Sequence, residues 1–251
     1  MDASFENSVL ETATRAGIIQ LRSGAEIFRV EDTINRICRH FNVNSDSAYV
    51  LSNGIFVTAG DENRGYFAKV KHVPVCGIHL GRVAEVENLL FDMEKDNYTV
   101  SQVNVRLNAI DEMQMPSRTV QTFASGIGSA AFCLLFGGSF ADAAVSFAAG
   151  FLLYIFWLGK FAKRMSKIVL NITGAMFVTF ICVMLHRLGF GDSFQYMIIG
   201  SIIPMIPGVA FTNGIRDIAF GDYISGEVRM MDAILIFMCI ALGVGVVHSI
   251  L

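Results

Sequence analysis

Long apolar runs, separated by short polar turns, fill the second half of the chain. A bilayer core about 30 Å thick requires about 20 mostly apolar helical residues to cross it. Five runs reach that length and predict transmembrane helices at residues 119–138, 140–158, 168–185, 193–212 and 232–249. The first two are separated by only Gly137-Gly138-Ser139, which predicts a tight helical hairpin. Residues 119–251 are therefore predicted to form a five-helix transmembrane domain.

The first half has the shorter periodicities of a compact domain. Apolar residues spaced by three and four positions predict four helices, at residues 5–21, 27–41, 77–96 and 99–113. The second helix follows Ser23-Gly24-Ala25-Glu26, which has the spacing of a capping box, in which Ser23 and Glu26 satisfy free amides at the helix start.

Strand patterns lie between the second and third predicted helices. Residues 49–51 and 55–57 flank Asn53-Gly54, a pair that tolerates the positive φ angles of a tight hairpin turn. A further strand is predicted at residues 66–73. Residues 1–118 are therefore predicted to form an α+β domain that ends near Pro116, and the fold class is an α-helical multi-pass membrane protein with an N-terminal α+β domain.

The distribution of charge agrees with this division. The chain is 53% hydrophobic and 16% charged, which is too apolar for an ordinary soluble domain. Residues 1–118 hold 28 of the 41 Asp, Glu, Lys and Arg side chains. Because the net charge is only -3 and the basic residues are scattered, nucleic acid is not expected as a partner.

No catalytic or metal-binding constellation is apparent in the sequence. The five cysteines are far apart, so neither a disulfide framework nor a zinc site is expected, and no cofactor is predicted. Cys38 and His40 are two positions apart on a helix and point in different directions, while Cys76 and His72 lie in an unpatterned stretch without an orienting carboxylate. A non-enzyme is therefore predicted, and a membrane-anchored hydrolase is the weaker alternative.

Basic residues in short loops predict the orientation, because such loops are retained on the cytoplasmic side. The loop between the second and third runs and the segments before the first run and after the fourth hold Arg118, Lys160, Lys163, Arg164, Lys167, Arg216 and Arg229. The start of the chain also lacks the basic and apolar segments of a signal peptide. We therefore expect a cell (inner or plasma) membrane protein with a cytosolic N-terminal domain and its C-terminus outside.

The fourth apolar run contains Pro204 and Pro207-Gly208. Proline removes a backbone donor and clashes with the preceding turn, so these residues predict a kink or break in the helix. A broken helix exposes backbone groups within the bilayer, which favours a water-lined cavity or a polar substrate site. The alternative is a structural kink whose free groups are satisfied by neighbouring helices.

Three groups of residues resemble the threonine/serine exporter family, and within it the short five-span YjjP-type subunit, over nearly the whole chain. They are Ser23 to Glu26 with Arg29-Val30-Glu31, Asn53 to Thr58, and the most specific group, Pro207-Gly208, Asn213, Arg216-Asp217 and Gly221-Asp222. The resemblance implies one subunit of an exporter of small hydrophilic metabolites, either threonine and serine or dicarboxylates such as succinate.

The resemblance also implies a second, smaller membrane subunit with five spans of its own. An odd number of spans agrees with a pathway that is completed by another subunit or by another copy of this chain. The lipid bilayer, a small-molecule substrate and one of these two subunits are therefore the expected partners. A regulatory or scaffold membrane subunit is the alternative function.

Residues after the break are the first candidates for the transport pathway. Arg216 can bind a carboxylate through paired charge-assisted hydrogen bonds, and Asp217 or Asp222 can receive an ammonium group or a proton. In the alternative, Arg216 and Asp217 are interfacial anchors that fix the topology.

Two further candidates lie in the second and third runs. Asp142 has no basic residue nearby, and a carboxylate at the centre of a bilayer costs at least about 2.5 kcal/mol, so it is predicted to face a cavity or a partner. It is either a proton or substrate group or an interfacial residue that reaches water. Asn171 either lines the pathway or makes an interhelical hydrogen bond. The predicted pathway comprises Asp142, Asn171, Pro204, Pro207, Gly208, Asn213, Arg216, Asp217 and Asp222.

Overall fold

A computed structural model describes residues 3–43, 47–61, 65–74, 77–159 and 162–250. Cys76 and Lys160, which the sequence analysis considered, lie outside these residues. Contacts between Cα atoms divide the chain into two compact units. The first unit combines residues 1–115 with residues 209–231, and the second combines residues 116–208 with residues 232–251. The first unit therefore includes a segment that follows the two prolines of the fourth apolar run.

The N-terminal part of the first unit contains four helices and three strands. In chain order they are α1 (Ala3–Arg22), α2 (Ile27–His40), β1 (Ser47–Leu51), β2 (Gly54–Asp61), β3 (Gly65–His72), α3 (Leu80–Lys95) and α4 (Val100–Asp111). The strands form one antiparallel sheet in the order β1-β2-β3. The helices and strands predicted from the periodicity are confirmed, with ends shifted by a few residues.

The core of this unit is built around α1 and α2. Val9, Leu10, Ala13 and Ala16 of α1 are fully buried, as are the apolar residues of α2 that share one face. At Gly17 of α1, an added Cβ would lie 2.8 Å from Ile34 Cδ1. A side chain at this position would therefore have to displace Ile34 where α1 packs on α2.

The β1–β2 hairpin is confirmed, but the position of its turn was predicted wrongly. Leu51 pairs with Gly54, so Ser52 and Asn53 make the turn, and Gly54 is already part of β2. Asn42 is the only non-glycine residue with a positive φ in the described part of the chain, and Gly54 has no positive φ either. Gly54 pairs with Leu51 of β1 and with His72 of β3. Because a residue paired on both sides needs extended backbone, Gly54 lies in the strand and not in the turn.

The remaining helices are α5 (Arg118–Leu135), α6 (Phe140–Leu158), α7 (Lys167–Arg187), α8 (Phe194–Ile202), α9 (Gly208–Ala219) and α10 (Tyr223–Ile250). Short 3-10 turns occupy Ala162–Arg164 and Ile203–Met205. Helices α5 to α8, Gly208 and most of α10 belong to the second unit, whereas the rest of α9 and the first residues of α10 belong to the first.

Among the described residues, three helices, α6, α7 and α10, are long and apolar enough to cross a membrane. The pair formed by Phe194–Met205 and Gly208–Ala219 provides a fourth if it counts as one broken span, and the pair is bent by 66°. The predicted break at Pro204 and Pro207 is therefore confirmed. Helix α5 begins with Arg118, Thr119, Gln121 and Thr122, which lower its apolar content, and the fifth span stays a prediction.

Helices α5 and α6 form the tight hairpin that the sequence predicted. Only Phe136 to Ser139 lie between them, with Gly137 at φ +102°. Small residues allow the two helices to approach closely, as is common in membrane bundles. A Cβ on Gly150 would lie 2.0 Å from Ser129 Oγ, whereas a Cβ on Gly128 would have no neighbour within 4 Å.

These two glycines give a matched pair of substitutions. We expect Gly150→Ala to lower the free energy of unfolding by about 1–3 kcal/mol, because the added methyl group overlaps Ser129. Gly128→Ala should be neutral or stabilise by up to about 1 kcal/mol, because alanine favours the helix. Denaturant unfolding of the purified protein in detergent measures both, and equal stability of the two variants would contradict the packing.

Candidate functional site

The turn between α1 and α2 ends the first helix but does not cap the second. The Ala25 N–H donates to Gln20 O at 3.1 Å across Gly24, which has a φ of +90°, and this arrangement closes the C-terminus of α1. Glu26 is the N-cap of α2 and makes no side-chain capping hydrogen bond. Ser23 Oγ is buried and has no hydrogen-bond partner among the described residues. The predicted capping box is therefore wrong, because Ser23 and Gly24 terminate α1.

A carboxylate from a distant helix caps α2 instead. The Ile27 N–H donates to Asp217 Oδ1 of α9 at 3.0 Å. The first amides of a helix lack partners within the helix, and the positive end of its dipole favours an anion. Asp217 is fully buried, so its charge depends on this contact and on those around it.

Arg229 of α10 provides the opposite charge. Its Nη1 atom lies 2.9 Å from Asp217 Oδ2, and its Nη2 atom donates to Ala25 O at 2.9 Å. The Arg229 side chain is 14% exposed. The sequence analysis used Arg229 only as an indicator of orientation. The sequence does contain a signal for this pair. Asp217 and Arg229 lie on either side of the Gly221-Asp222 turn, and a helical hairpin at that turn brings the two residues together.

Two more side chains of α9 hold the same turn. Asn213 Nδ2 donates to Gly24 O at 2.8 Å, and Arg216 Nη1 donates to Glu26 Oε1 at 2.5 Å. Asn213 is 8% exposed, whereas the Arg216 side chain is 60% exposed. We call Asn213, Arg216, Asp217 and Arg229 the clamp. Each of the four consecutive residues from Gly24 to Ile27 is bound by one member of the clamp.

The glycines of this region allow α9 and α10 to meet. Gly221, at φ +94°, ends α9, and the Asp222 N–H donates to Asp217 O at 2.8 Å. A Cβ on Gly226 would lie 2.5 Å from Ile218 Cγ1, and one on Gly214 would lie 2.9 Å from Met230 Cγ. The close approach of the two helices positions Asp217 and Arg229 as a pair.

The hairpin turn of the sheet also contacts α10. The Ser52 N–H donates to Ser225 Oγ at 3.1 Å, and Phe28 packs on Phe220 with ring centroids 4.5 Å apart. Residues 23–31 and 213–222, which carry two groups of the family resemblance, therefore contribute to one region of the first unit, and the turn before residues 54–58 contacts that region through Ser52.

The pKa values of three carboxylates around the clamp, Glu26, Glu31 and Asp222, are shifted in different directions. Burial raises the pKa of Glu26, but hydrogen bonds from its own backbone and from Arg29 and Arg216 outweigh this effect and hold the pKa below its usual range. Burial raises the pKa of Glu31, and the charge of Asp222 raises it further. Burial likewise raises the pKa of Asp222, against the opposing effect of Arg229. Glu26 is thus held as an anion, whereas Glu31 and Asp222 repel each other.

Asp142 and Asn171 belong to the second unit and are not part of this cluster. Asp142 is 1% exposed, and its carboxylate accepts backbone N–H groups from Ser139 at 3.0 Å, Asp192 at 2.7 Å and Ser193 at 2.9 Å. It joins the start of α6 to the loop before α8. Asn171 Nδ2 donates to Lys167 O of its own helix at 2.8 Å. Both side chains thus make local structural contacts.

Pro204 lies in the 3-10 turn after α8, and Pro207 precedes Gly208 at the start of α9. Of the predicted pathway residues, the structure therefore brings Asn213, Arg216 and Asp217 together, with Asp222 beside them. The three or four described helices that are long and apolar enough to cross a membrane indicate a multi-pass membrane protein.

Comparison with known proteins gives its family. The family model described as "Putative threonine/serine exporter" (ThrE) matches residues 11–251, and the chain belongs to this family. It is 25% identical to the "Probable succinate transporter subunit YjjP" of Klebsiella aerogenes, over 97% of this chain and 94% of that protein. The protein of the same name from Escherichia coli is 23% identical, over 97% of this chain and 95% of that protein.

A fungal protein is also similar. The "Pheromone-regulated membrane protein 10" of Pichia sorbitophila is 24% identical over 88% of this chain, which corresponds to 23% of its own length. No solved structure matches the chain.

The pairing of Asp217 with Arg229 can be measured by a double-mutant cycle. Removal of one partner from a buried ion pair costs about 3–5 kcal/mol, because it leaves the other charge uncompensated. We expect Asp217→Asn and Arg229→Gln each to approach that loss. The double variant should lose less than the sum by about 1–3 kcal/mol, as is usual for directly coupled residues.

Arg216→Gln serves as the comparison in the same experiment. The Arg216 side chain is 60% exposed and Glu26 keeps its ion pair with Arg29 at 2.9 Å, so we expect a loss of at most about 1 kcal/mol. Unfolding by denaturant in detergent measures all four variants. Additive losses for Asp217→Asn and Arg229→Gln would contradict the pairing.

Proposed function

We propose that this chain is a subunit of a membrane exporter for small hydrophilic metabolites that carry a carboxylate, either amino acids such as threonine and serine or dicarboxylates such as succinate. Membership of the exporter family supports export as the activity. The names of the two bacterial relatives support a transporter subunit and a dicarboxylate substrate. The family description supports the amino acids.

One observation carries the proposal: the segment that follows the helix break also binds the start of α2. Helix α9 begins at Gly208, directly after Pro207, and Asp217 near its end caps α2. A change at the break that shifts α9 therefore also changes the capping of α2. In this arrangement the N-terminal domain responds to movement of α9 and so takes part in transport.

We further propose the topology that the basic loops predict. Residues 1–118 form the cytosolic domain, residues 119–251 form five spans in the cell (inner or plasma) membrane, and the C-terminus lies outside. An odd number of spans agrees with a pathway that a second small five-span subunit or another copy of this chain completes.

Efflux from intact cells tests the activity. Cells that produce the chain with its presumed second subunit are loaded with labelled succinate, threonine or serine, and the loss of label is followed. We expect Asp217→Asn to slow efflux at least about tenfold, a factor that corresponds to only about 1.4 kcal/mol. Arg216→Gln should slow efflux less, because its side chain is 60% exposed.

Glu227→Gln is the matched control, since it removes an exposed carboxylate from the same helix as Arg229. It should leave efflux unchanged, and all variants should reach the membrane in equal amounts. Normal efflux by both Asp217→Asn and Arg216→Gln would remove the clamp from the mechanism. Absence of efflux for all three solutes in the unaltered protein would favour a regulatory or scaffold subunit.

A further inference from the structure

We infer that the start of α2 and Arg229 together form a binding site for the carboxylate of the exported solute, and that Asp217 fills this site in the structure. The inference rests on the proposed function and deepens it, because it names the chemical group that the protein recognises and the residues that bind it.

The two donors of this site come from elements other than α9. The Ile27 N–H of α2 lies 3.0 Å from one oxygen of Asp217, and Arg229 Nη1 of α10 lies 2.9 Å from the other. A helix N-terminus and a guanidinium group both favour a carboxylate. Because neither donor belongs to α9, replacement of Asp217 by another carboxylate removes neither donor from the site.

The internal carboxylate satisfies the Ile27 N–H but satisfies the Arg229 donor incompletely. Asp217 is fully buried, but in the described part of the chain neither its Oδ2 atom nor Arg229 Nη1 makes a hydrogen bond, although the two atoms are 2.9 Å apart. Their separation is that of an ion pair, and the directions required for a hydrogen bond are not met. A free carboxylate is not tied to the backbone of α9 and can align with both donors.

Helix α9 is suited to leave the site. It is a helix of 12 residues between Pro207, which has no backbone N–H, and Gly221, at φ +94°. Its other charged contact joins Arg216, whose side chain is 60% exposed, to Glu26, which also pairs with Arg29. Departure of Asp217 alone leaves the Arg229 charge uncompensated, which is unfavourable in a buried site.

Arrival of a solute carboxylate removes that penalty. A ligand shifts a conformational equilibrium only by the difference between its affinities for the two states. Here the solute binds only the state in which Asp217 has left. Binding of the solute and release of α9 are therefore coupled, because the solute carboxylate replaces the carboxylate of Asp217.

The test is the affinity of the purified full chain for succinate, measured by calorimetry in detergent. We expect Asp217→Ala to bind succinate at least about tenfold more tightly than the unaltered protein, because the internal competitor is gone and tenfold requires only about 1.4 kcal/mol. Arg229→Gln should bind at least about tenfold more weakly. Glu227→Gln should bind as the unaltered protein does, and the neutral analogue succinamide should bind to none of them.

Asp217→Asn is a second variant, for the case that Asp217→Ala does not fold. It keeps an acceptor for the Ile27 N–H but lacks the charge, so succinate should raise its Tm more than that of the unaltered protein. If neither Asp217 variant binds succinate more tightly, or if Arg229→Gln retains full affinity, the inference is wrong. Efflux of succinate by the unaltered protein would still support the proposed function in that case, whereas tighter binding without any efflux would sustain the site and overturn the exporter.

Discussion

The structure of the first unit depends on a helix start that its own sequence leaves uncapped. The residues before α2 are used to end α1, so the Ile27 N–H has no local partner and is bound by Asp217, 190 positions later in the chain. Because a buried carboxylate requires compensation, Arg229 is drawn into the same place. One missing cap thus links three helices, α2, α9 and α10, and it places the residues after the proline break within the first unit.

The chain shows which features a sequence reveals and which it does not. Periodicity located α2 and its buried face, the three strands and the apolar runs, because these patterns depend on local geometry. The break at Pro204 and Pro207 was equally local. The capping box failed because Ser23 and Glu26 have the right spacing, while the positive φ of Gly24 commits this turn to the end of α1. Arg229 was missed because its partner is defined by the fold of the α9–α10 hairpin.

The predicted pathway residues separate into two kinds. Asp142 and Asn171 have partners nearby in the second unit, which explains why polar side chains are tolerated in apolar helices. Asn213, Arg216 and Asp217 instead reach a turn almost 190 positions earlier. Residues that lie close after a helix break and contact a distant part of the chain are expected to change partners when the helix after the break shifts. The contacts of Asn213, Arg216 and Asp217 therefore support the clamp as the functional region.

Amide hydrogen exchange at the start of α2 tests the central claim most directly. The account predicts that Asp217→Ala, which removes the acceptor of the Ile27 N–H, raises the exchange rate of that amide in the purified protein, whereas Glu227→Gln leaves the rate unchanged. Peptides from the middle of α1 should exchange equally slowly in all three proteins. Unchanged protection of the Ile27 amide in Asp217→Ala, in a protein that is otherwise folded, would contradict the account.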